Sequence, residues 1–294
     1  MKLLQVLSLC ASACFFAACS SDDAVEQETK PAAFRVESSI SKIHILRSPA
    51  LDEQGAGQFQ TGDVNTLFFA REDGQFVSSF AYTYGTSYFW SDLKLPADLQ
   101  RCRISACYPQ VSTDTPENYS WDVMTAQPTA DLLVASPVTA EVNAQQVRLT
   151  FAHLMHKLKV VLVSGASTVS QDVLDAASIS FRQVLPVAKV NLLQGQVLSA
   201  SGQPVAFEAH GAQAAFIVPA QPAGKMEVLV KVNGQTAVFP LAEMTTQQGG
   251  LLQRLESGKT FTVTIKVTEK DFVVISQDIS GWEDQGSSDN QIII

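Results

Sequence analysis

The sequence predicts an all-β fold made of two tandem antiparallel β-sandwich domains. Apolar and polar residues alternate with a period of two along several segments, which is typical of strands that bury one face. Turn-forming pairs such as Asp73-Gly74 and Gln194-Gly195 recur at short intervals. Helical periodicity is scarce, since only 169–177 and 244–255 could each hold a turn or two. Many short strands with frequent turns indicate antiparallel sandwiches.

Five segments carry the strand alternation, and 259–268 shows it best. Phe261, Val263 and Ile265 share one face there, while the threonines between them share the other. Asn233-Gly234 lies between two apolar runs and predicts a tight hairpin. The other four segments are 76–84, 147–153, 156–163 and 225–232.

The chain length favours two domains, because a typical domain has about 150 residues and this chain has 294. A Pro-, Ala- and Thr-rich stretch at 128–144 is the expected junction. We therefore expect an N-terminal domain over 34–144 and a C-terminal domain over 145–294.

The composition excludes two classes of protein. Hydrophobic residues make up 46% of the chain, which is too many for a chain disordered over its whole length. The net charge is −9 at pH 7, so the protein has no electrostatic attraction to a phosphate backbone and we expect no nucleic-acid partner.

The first 33 residues indicate export and lipid attachment. Residues 1–18 combine Lys2 with an apolar run that is too short to cross a bilayer, and they indicate a secretory signal peptide. The sequence Phe16-Ala17-Ala18-Cys19 resembles the lipobox of bacterial lipoproteins, with Phe16 in place of the usual Leu; an ordinary signal peptide is the alternative. An acidic run follows Cys19 and resembles the surface-export signal of Bacteroidetes lipoproteins. We expect lipidation at Cys19, an acidic tether over 19–33, and a surface-exposed lipoprotein of the outer membrane.

Two cysteines, Cys102 and Cys107, remain after the signal peptide and the lipidated position. On one extended strand they would lie about 16 Å apart, which is beyond the reach of a disulfide. We expect them to be buried free thiols.

No pattern in the sequence indicates an enzyme, a metal site or a cofactor. There is no Gly-x-Ser-x-Gly nucleophile motif, and Asp63, Asp92 and Asp98 do not form a calcium-binding loop. His153 and His156 are three positions apart, which on one strand sends them to opposite faces. We expect one packed and one exposed histidine.

Eight short motifs, in order along the mature chain, resemble those of the fimbrillin family of the Bacteroidetes, the subunits of lipoprotein-derived pili. Two residues depart from the family pattern: Cys107 stands where the family usually has an aromatic residue, and His156 stands where it commonly has a small one. The motifs lie at 45–48, 59–63, 104–109, 131–135, 149–158, 191–197, 217–221 and 279–282.

The resemblance implies two transthyretin-like domains and a structural or adhesive role in a cell-surface fimbrium, without enzymatic activity or a cofactor. The implied partners are other fimbrial subunits, the outer membrane through the lipid anchor, and ligands on host or bacterial surfaces. The rival hypothesis is a surface glycan-binding lipoprotein that stacks sugars on Tyr88, Phe89 and Trp90.

The resemblance also implies an assembly mechanism. Family pilins are cut by a trypsin-like protease after an Arg in the N-terminal strand, and a strand from another subunit fills the groove that is left. The candidate strand here is 34–46, and the candidate cut lies between Arg47 and Ser48. The alternative is that Arg47 is a solvated residue at a strand end and that the protein keeps its lipid anchor as an accessory or tip component of the fimbrium. The apolar end Ile292-Ile293-Ile294 is expected to pair within its own chain; the alternative is that it is part of a donor strand.

Overall fold

The computed structural model describes residues 32–40, 50–51, 57–126, 129–165, 169–246 and 249–282. These ranges contain one short α-helix, α1 (Gln171–Asp175), and three 3₁₀ turns at Trp90–Leu93, Pro116–Asn118 and Leu241–Glu243. The strands are β1 (Ala33–Phe34), β2 (Val36–Ile40), β3 (Ala50–Leu51), β4 (Gly57–Gln58), β5 (Val64–Ala70), β6 (Phe76–Thr83), β7 (Tyr88–Phe89), β8 (Arg101–Tyr108), β9 (Tyr119–Asp122), β10 (Leu133–Glu141), β11 (Val147–His153), β12 (His156–Ser164), β13 (Ser178–Val184), β14 (Val187–Asn191), β15 (Gln196–Ser201), β16 (Val205–His210), β17 (Gln213–Val218), β18 (Gln221–Pro222), β19 (Glu227–Val232), β20 (Gln235–Pro240), β21 (Arg254–Leu255), β22 (Lys259–Val267) and β23 (Phe272–Gly281).

The strands assemble into several sheets, and the predicted all-β sandwich class is confirmed. The largest sheet has the order β3-β4-β2-β11-β10-β8-β5-β6. Two four-stranded sheets follow, β17-β12-β22-β23 and β16-β13-β19-β20. A three-stranded sheet, β15-β14-β9, and the short pairs β1-β7 and β18-β21 complete the described part.

The alternation of apolar and polar residues explains which side chains of strands such as β11 and β22 are buried. Along β11 every odd-numbered residue is buried and every even-numbered residue is exposed. β22 buries Phe261, Val263, Ile265 and Val267 on one face, as the sequence predicts. All five predicted strand segments are found, with ends shifted by at most two residues.

Two strand pairings differ from the predicted antiparallel arrangement. β2 runs parallel to β11, with Val36 opposite Val147, and β12 runs parallel to β22, with Lys157 opposite Thr260. A parallel pair needs a long crossover, and here more than a hundred residues separate β2 from β11 in the chain. Local alternation cannot reveal such distant pairing, because it reports which face is buried and not the neighbouring strand.

The buried apolar side chains of the described residues form three clusters. One includes Phe69 and Leu149 of the eight-stranded sheet. A second includes Phe181 and Phe261, which come from the two four-stranded sheets, so these sheets pack face to face. The third draws on residues from both sides of position 144 and includes Trp282. The division of the chain into domains at 34–144 and 145–294 stays a prediction.

The two segments with weak helical character have different outcomes. The first holds α1, whose N-cap Ser170 accepts a hydrogen bond from the backbone N–H of Val173. The second, at 244–255, contains no α-helix among its described residues; a bridge joins Thr245 to Leu251, and β21 follows. The prediction of a helical turn there is wrong: Leu252 and Leu255 pack into the second apolar cluster, Leu255 from β21.

The predicted hairpin at Asn233-Gly234 joins β19 to β20, and both turn residues have positive φ, 48° and 79°. This is the backbone signature of a type I′ turn. Gly234 tolerates it because it lacks a Cβ.

Gly234→Ala is expected to lower the free energy of unfolding by about 1 kcal/mol, because alanine disfavours positive φ. A Cβ at Gly234 would meet nothing within 4 Å, so the loss would be conformational rather than steric. Gly250→Ala is the matched control, since that glycine is equally open and lacks a positive φ. Urea unfolding of both variants measures the difference, and equal losses would contradict a strained turn.

Candidate functional site

The predicted modification sites lie outside the described residues. These are Cys19, Arg47 and Ser48, and the apolar end at 292–294 also lies outside. The candidate N-terminal strand, 34–46, is described as far as Ile40, where β1 and β2 account for it. The geometry of β1 and β2 is therefore what bears on assembly.

Phe34 of β1 anchors the N-terminal segment in an aromatic cluster. Its side chain is 2% exposed. The ring lies edge-on to Trp90, with centroids 4.8 Å apart, and also contacts Tyr82 and Phe69 at 6.2 and 6.4 Å. Burying such a side chain contributes roughly 2–3 kcal/mol, and each favourable aromatic pair adds about 0.5–1.5 kcal/mol. Phe34 thus contributes much of the free energy that keeps this segment in place.

Backbone hydrogen bonds fix the same segment against the large sheet. The N–H of Val147 donates to the carbonyl of Arg35 at 3.0 Å, and five residues of β2 are in register with β11 from Val147 to Phe151. On its other side β2 has one described pairing, between Ile40 and Gly57. Removal of β1 and β2 together would therefore expose the edge of β11 and the apolar pocket that Phe34 fills.

The aromatic stretch proposed as a sugar platform is largely core. Trp90 is 5% exposed, and its Nε1–H donates to the carbonyl of Ala144 at 2.8 Å. Phe89 is the exposed member, at 41%. Burial raises the pKa of Tyr82, whose ring packs against Phe34. A flat, exposed stacking surface is not formed by Tyr88, Phe89 and Trp90.

Cys102 and Cys107 are free and buried, as the sequence predicts. Both lie on β8. Burial raises the pKa of Cys102 to about 11 and that of Cys107 to about 12, so both thiols stay protonated and unreactive near neutral pH.

The expectation of one packed and one exposed histidine is wrong, because His153 and His156 are both buried. They lie on different strands: β11 ends at His153, β12 begins at His156, and two buried residues, Leu154 and Met155, separate them. Because Leu154 and Met155 interrupt the strand, the alternation of buried and exposed residues starts again at His156, and both imidazole rings are buried.

His153 joins three distant parts of the chain. Its Nδ1–H donates to Oδ2 of Asp131 at 2.5 Å, with both side chains almost fully buried. Its ring stacks on Trp282 at a centroid distance of 4.2 Å and an interplanar angle of 10°. The N–H of Trp282 donates to the carbonyl of Gly258, whose own N–H donates to Met155. These contacts tie the end of β23 to the junction of β11 and β12.

Sequence reasoning missed this cluster. Asp131, His153 and Trp282 each stand in a separate motif, and nothing in their spacing indicates that they meet. Covariation between these positions is the signal that could have found the contact.

His156 closes one end of the second core. Its Nδ1–H donates to the carbonyl of Glu256 at 2.9 Å, whereas its Nε2 has no hydrogen-bond partner among the described residues. Burial lowers the pKa of His156 to about 4, so the ring is neutral at pH 7. The ring also forms part of the wall of a cleft of about 410 Å³.

The described residues show neither a metal-binding cluster nor a membrane-spanning helix. In the described ranges no group of three or more His, Cys, Asp and Glu side chains could hold a metal ion. No helix within those ranges is long and apolar enough to cross a membrane.

Comparisons with known proteins give a family match and several structures with a similar fold. A family profile described as fimbrillin-like matches residues 52–282. A comparison with curated proteins finds no significantly similar relative.

Similar solved structures include three candidate cell adhesion proteins. The one from Bacteroides uniformis has a TM-score of 0.60 and 20% identity, and the match covers 76% of this chain and 93% of that one. The one from Bacteroides ovatus has a TM-score of 0.57 and 16% identity, covering 86% and 98%. The one from Parabacteroides distasonis has a TM-score of 0.51 and 8% identity, covering 87% and 98%. At these identities the likeness establishes a shared fold.

Phe34→Ala is expected to lower the free energy of unfolding by about 3 kcal/mol, because it removes a buried ring from an aromatic cluster. Amide exchange at Val147 should become faster, since this N–H donates to the segment that Phe34 anchors. Phe89→Ala is the matched control, because the Phe89 ring is largely exposed, and its loss should stay within about 0.5 kcal/mol. Equal effects of the two variants would contradict the anchoring role.

Acidification is expected to destabilise the protein through His156. Its pKa is lowered to about 4 in the folded state from about 6.5 in the unfolded state. The unfolded chain therefore binds the proton first, and stability present above pH 6.5 falls by roughly 3 kcal/mol as the pH drops towards 4.

Urea unfolding between pH 7 and pH 4 tests this dependence. His156→Gln removes the titrating ring and should flatten the pH dependence, even if the variant is less stable at pH 7. His210→Gln, at an exposed position, should keep the wild-type slope. A wild-type slope in His156→Gln would show that other groups account for the acid sensitivity.

Proposed function

Because the chain belongs to the fimbrillin-like family, we propose that it is a structural and adhesive subunit of a cell-surface fimbrium. Family membership and the sandwich fold shared with candidate cell adhesion proteins support this role. The proposed role is non-enzymatic and needs no cofactor. Its partners are other fimbrial subunits and ligands on host or bacterial surfaces.

The subunit is exported as an outer-membrane lipoprotein in this proposal. Cleavage of the signal peptide 1–18 leaves Cys19 as the lipidated first residue, and the acidic tether directs the protein to the outer face. Several acyl chains on one residue, at about 0.8 kcal/mol per buried CH₂, make a lasting anchor. The supporting observations are the small residues before Cys19 and the acidic run after it.

Assembly proceeds by strand exchange in this proposal. Cleavage after Arg47 separates 19–47 from the body and releases β1 and β2, and a strand from another subunit takes the place of β2 on β11. The observation that carries the proposal is the position of β2: its main partner is β11, and Phe34 fills one aromatic pocket beside it. An added strand with an apolar residue at that position would satisfy both the backbone and the pocket.

Before cleavage the folded part of the precursor consists of two transthyretin-like domains in this proposal, 34–144 and 145–294, and cleavage removes residues 34–47 from the first of them. The rival glycan-binding role through Tyr88, Phe89 and Trp90 is not favoured, because the buried Trp90 cannot stack on a ligand.

Proteolysis of the folded, non-lipidated protein tests the assembly mechanism. Treatment with an arginine-specific protease should give one cut, with Ser48 as the new N-terminus, followed by growth into polymers that resist SDS without boiling. Arg47→Gln should stay intact and monomeric. Arg35→Gln is the matched control and should be cut and polymerise like the wild type. A protein that is cut after Arg47 and stays monomeric would contradict strand exchange.

Competition with a peptide tests whether polymer growth depends on the groove that the released strand leaves on β11. A synthetic peptide with the sequence of 33–46 should slow polymer growth, because it refills the site on β11. The same peptide with Phe34 replaced by Ala should compete less well. Equal inhibition by a scrambled peptide would mean that growth does not depend on this groove.

A further inference from the structure

Ser38 of β2 departs from the pattern of a strand that packs on a core. Val36 and Ser38 are two positions apart on one strand, so their side chains point to the same face. Val36 is buried in the apolar cluster of the large sheet. The core-facing side of a strand normally carries apolar residues, so Ser38 brings a hydroxyl to a place where the sheet buries apolar side chains.

The Ser38 hydroxyl is buried and has no hydrogen-bond partner among the described residues. Other polar groups of the same segment are paired. The carbonyl of Arg35 accepts from the N–H of Val147, and the carboxylate of Glu37 pairs with Arg148 of β11 at 3.4 Å. Among the buried side-chain oxygens and nitrogens of residues 32–38, the Ser38 hydroxyl is the one without a partner.

Two features weaken the binding of β2 to β11. A buried hydroxyl without a partner is unfavourable, because it gives up its hydrogen bonds to water and gains none in return. The parallel pairing of β2 with β11 is slightly less stable per residue than an antiparallel pairing. The strand that fills this site in the intact chain is therefore not the best possible fit.

The position of Ser38 in the chain gives the unpaired hydroxyl a particular consequence. Ser78 of β6 and Ser105 of β8 also bury a hydroxyl without a partner. Those strands leave the sheet only when the fold is lost, so an unpaired hydroxyl there lowers global stability. At Ser38 the same penalty falls on a segment that the proposed cleavage frees, so it lowers the affinity of that segment for β11.

We propose that Ser38 determines how readily β2 is replaced, and that the strand which takes its place carries an apolar side chain at this position. The inference rests on the proposed strand exchange and names the chemistry of the incoming strand. Such a strand makes the same backbone pairs with β11 and fills the pocket of Phe34, but it buries no unpaired hydroxyl. The incoming strand therefore binds more tightly than β2, and the exchange proceeds in its favour.

Amide hydrogen exchange in the intact, uncleaved monomer measures how firmly β2 is held. Ser38→Ala removes the hydroxyl and should slow exchange at Val147, whose N–H donates to the segment, about five- to tenfold, which corresponds to roughly 1–1.4 kcal/mol. Ser78→Ala is the matched control, because it removes an equally unpaired buried hydroxyl from β6. It should slow only the amides that exchange through global unfolding and leave Val147 unchanged.

Assembly assays test the chemistry of the incoming strand. After the cut at Arg47, Ser38→Ala should retain the N-terminal fragment longer and form polymers about five- to tenfold more slowly, whereas Ser78→Ala should grow like the wild type. In the competition assay, the peptide 33–46 carrying Ser38→Ala should reach half-inhibition at a concentration about five- to tenfold lower than the unchanged peptide.

Three results would overturn the proposal: unchanged exchange at Val147 in Ser38→Ala, equal slowing at Val147 in Ser78→Ala, or equal inhibition by the two peptides. Failure of the cut wild-type protein to polymerise would instead contradict strand exchange itself. The amide measurement on the intact monomer needs neither cleavage nor polymer growth, so the two failures are distinguishable.

Discussion

The backbone of β11 needs a partner along both of its edges, and the rest of the proposed mechanism depends on this constraint. On one edge β10 pairs with the last three residues of β11, from Phe151 to His153, and on the other edge β2 pairs with Val147 to Phe151 in parallel register. Unpaired N–H and C=O groups along the edge of a strand that packs on a core are unfavourable, and they can pair with another strand. The segment is held by the buried Phe34 and Val36, by the short β1–β7 pairing and by five residues paired with β11, and another strand that makes the same contacts could take its place.

A second set of contacts fixes the C-terminal end of β11. His153, Asp131 and Trp282 connect β11, the residues before β10 and the end of β23 through a short hydrogen bond and a ring stack. Buried polar pairs of this kind restrict the arrangement of the groups around them. The strand whose exchange we propose lies on one edge of β11, while the His153 cluster holds its C-terminal end, so a loss of β2 would leave the contacts of this junction in place.

Strand positions could be predicted from the sequence wherever one face of a strand is buried. β22 and β11 show this, because their burial follows the alternation of residue types. The parallel pairing of β2 with β11 could not be predicted, since local patterns carry no information about a neighbour more than a hundred residues away. The prediction of one packed and one exposed histidine was wrong for another reason. Leu154 and Met155 interrupt the strand between the two histidines, so the alternation of buried and exposed residues starts again after them. The contact of Asp131 with His153 joins separate motifs, and the positions of Cys19, Arg47 and Ser48 stay predictions.

The most direct test of the central claim is amide hydrogen exchange along β11, measured on the intact monomer, on the monomer freshly cut after Arg47, and on the polymer. The account predicts slow exchange at the amides of Val147 to Phe151 that face β2 in the intact protein, fast exchange after the cut, and slow exchange again in the polymer. Protection that is unchanged by the cut, or that does not return in the polymer, would contradict the exchange of strands on β11.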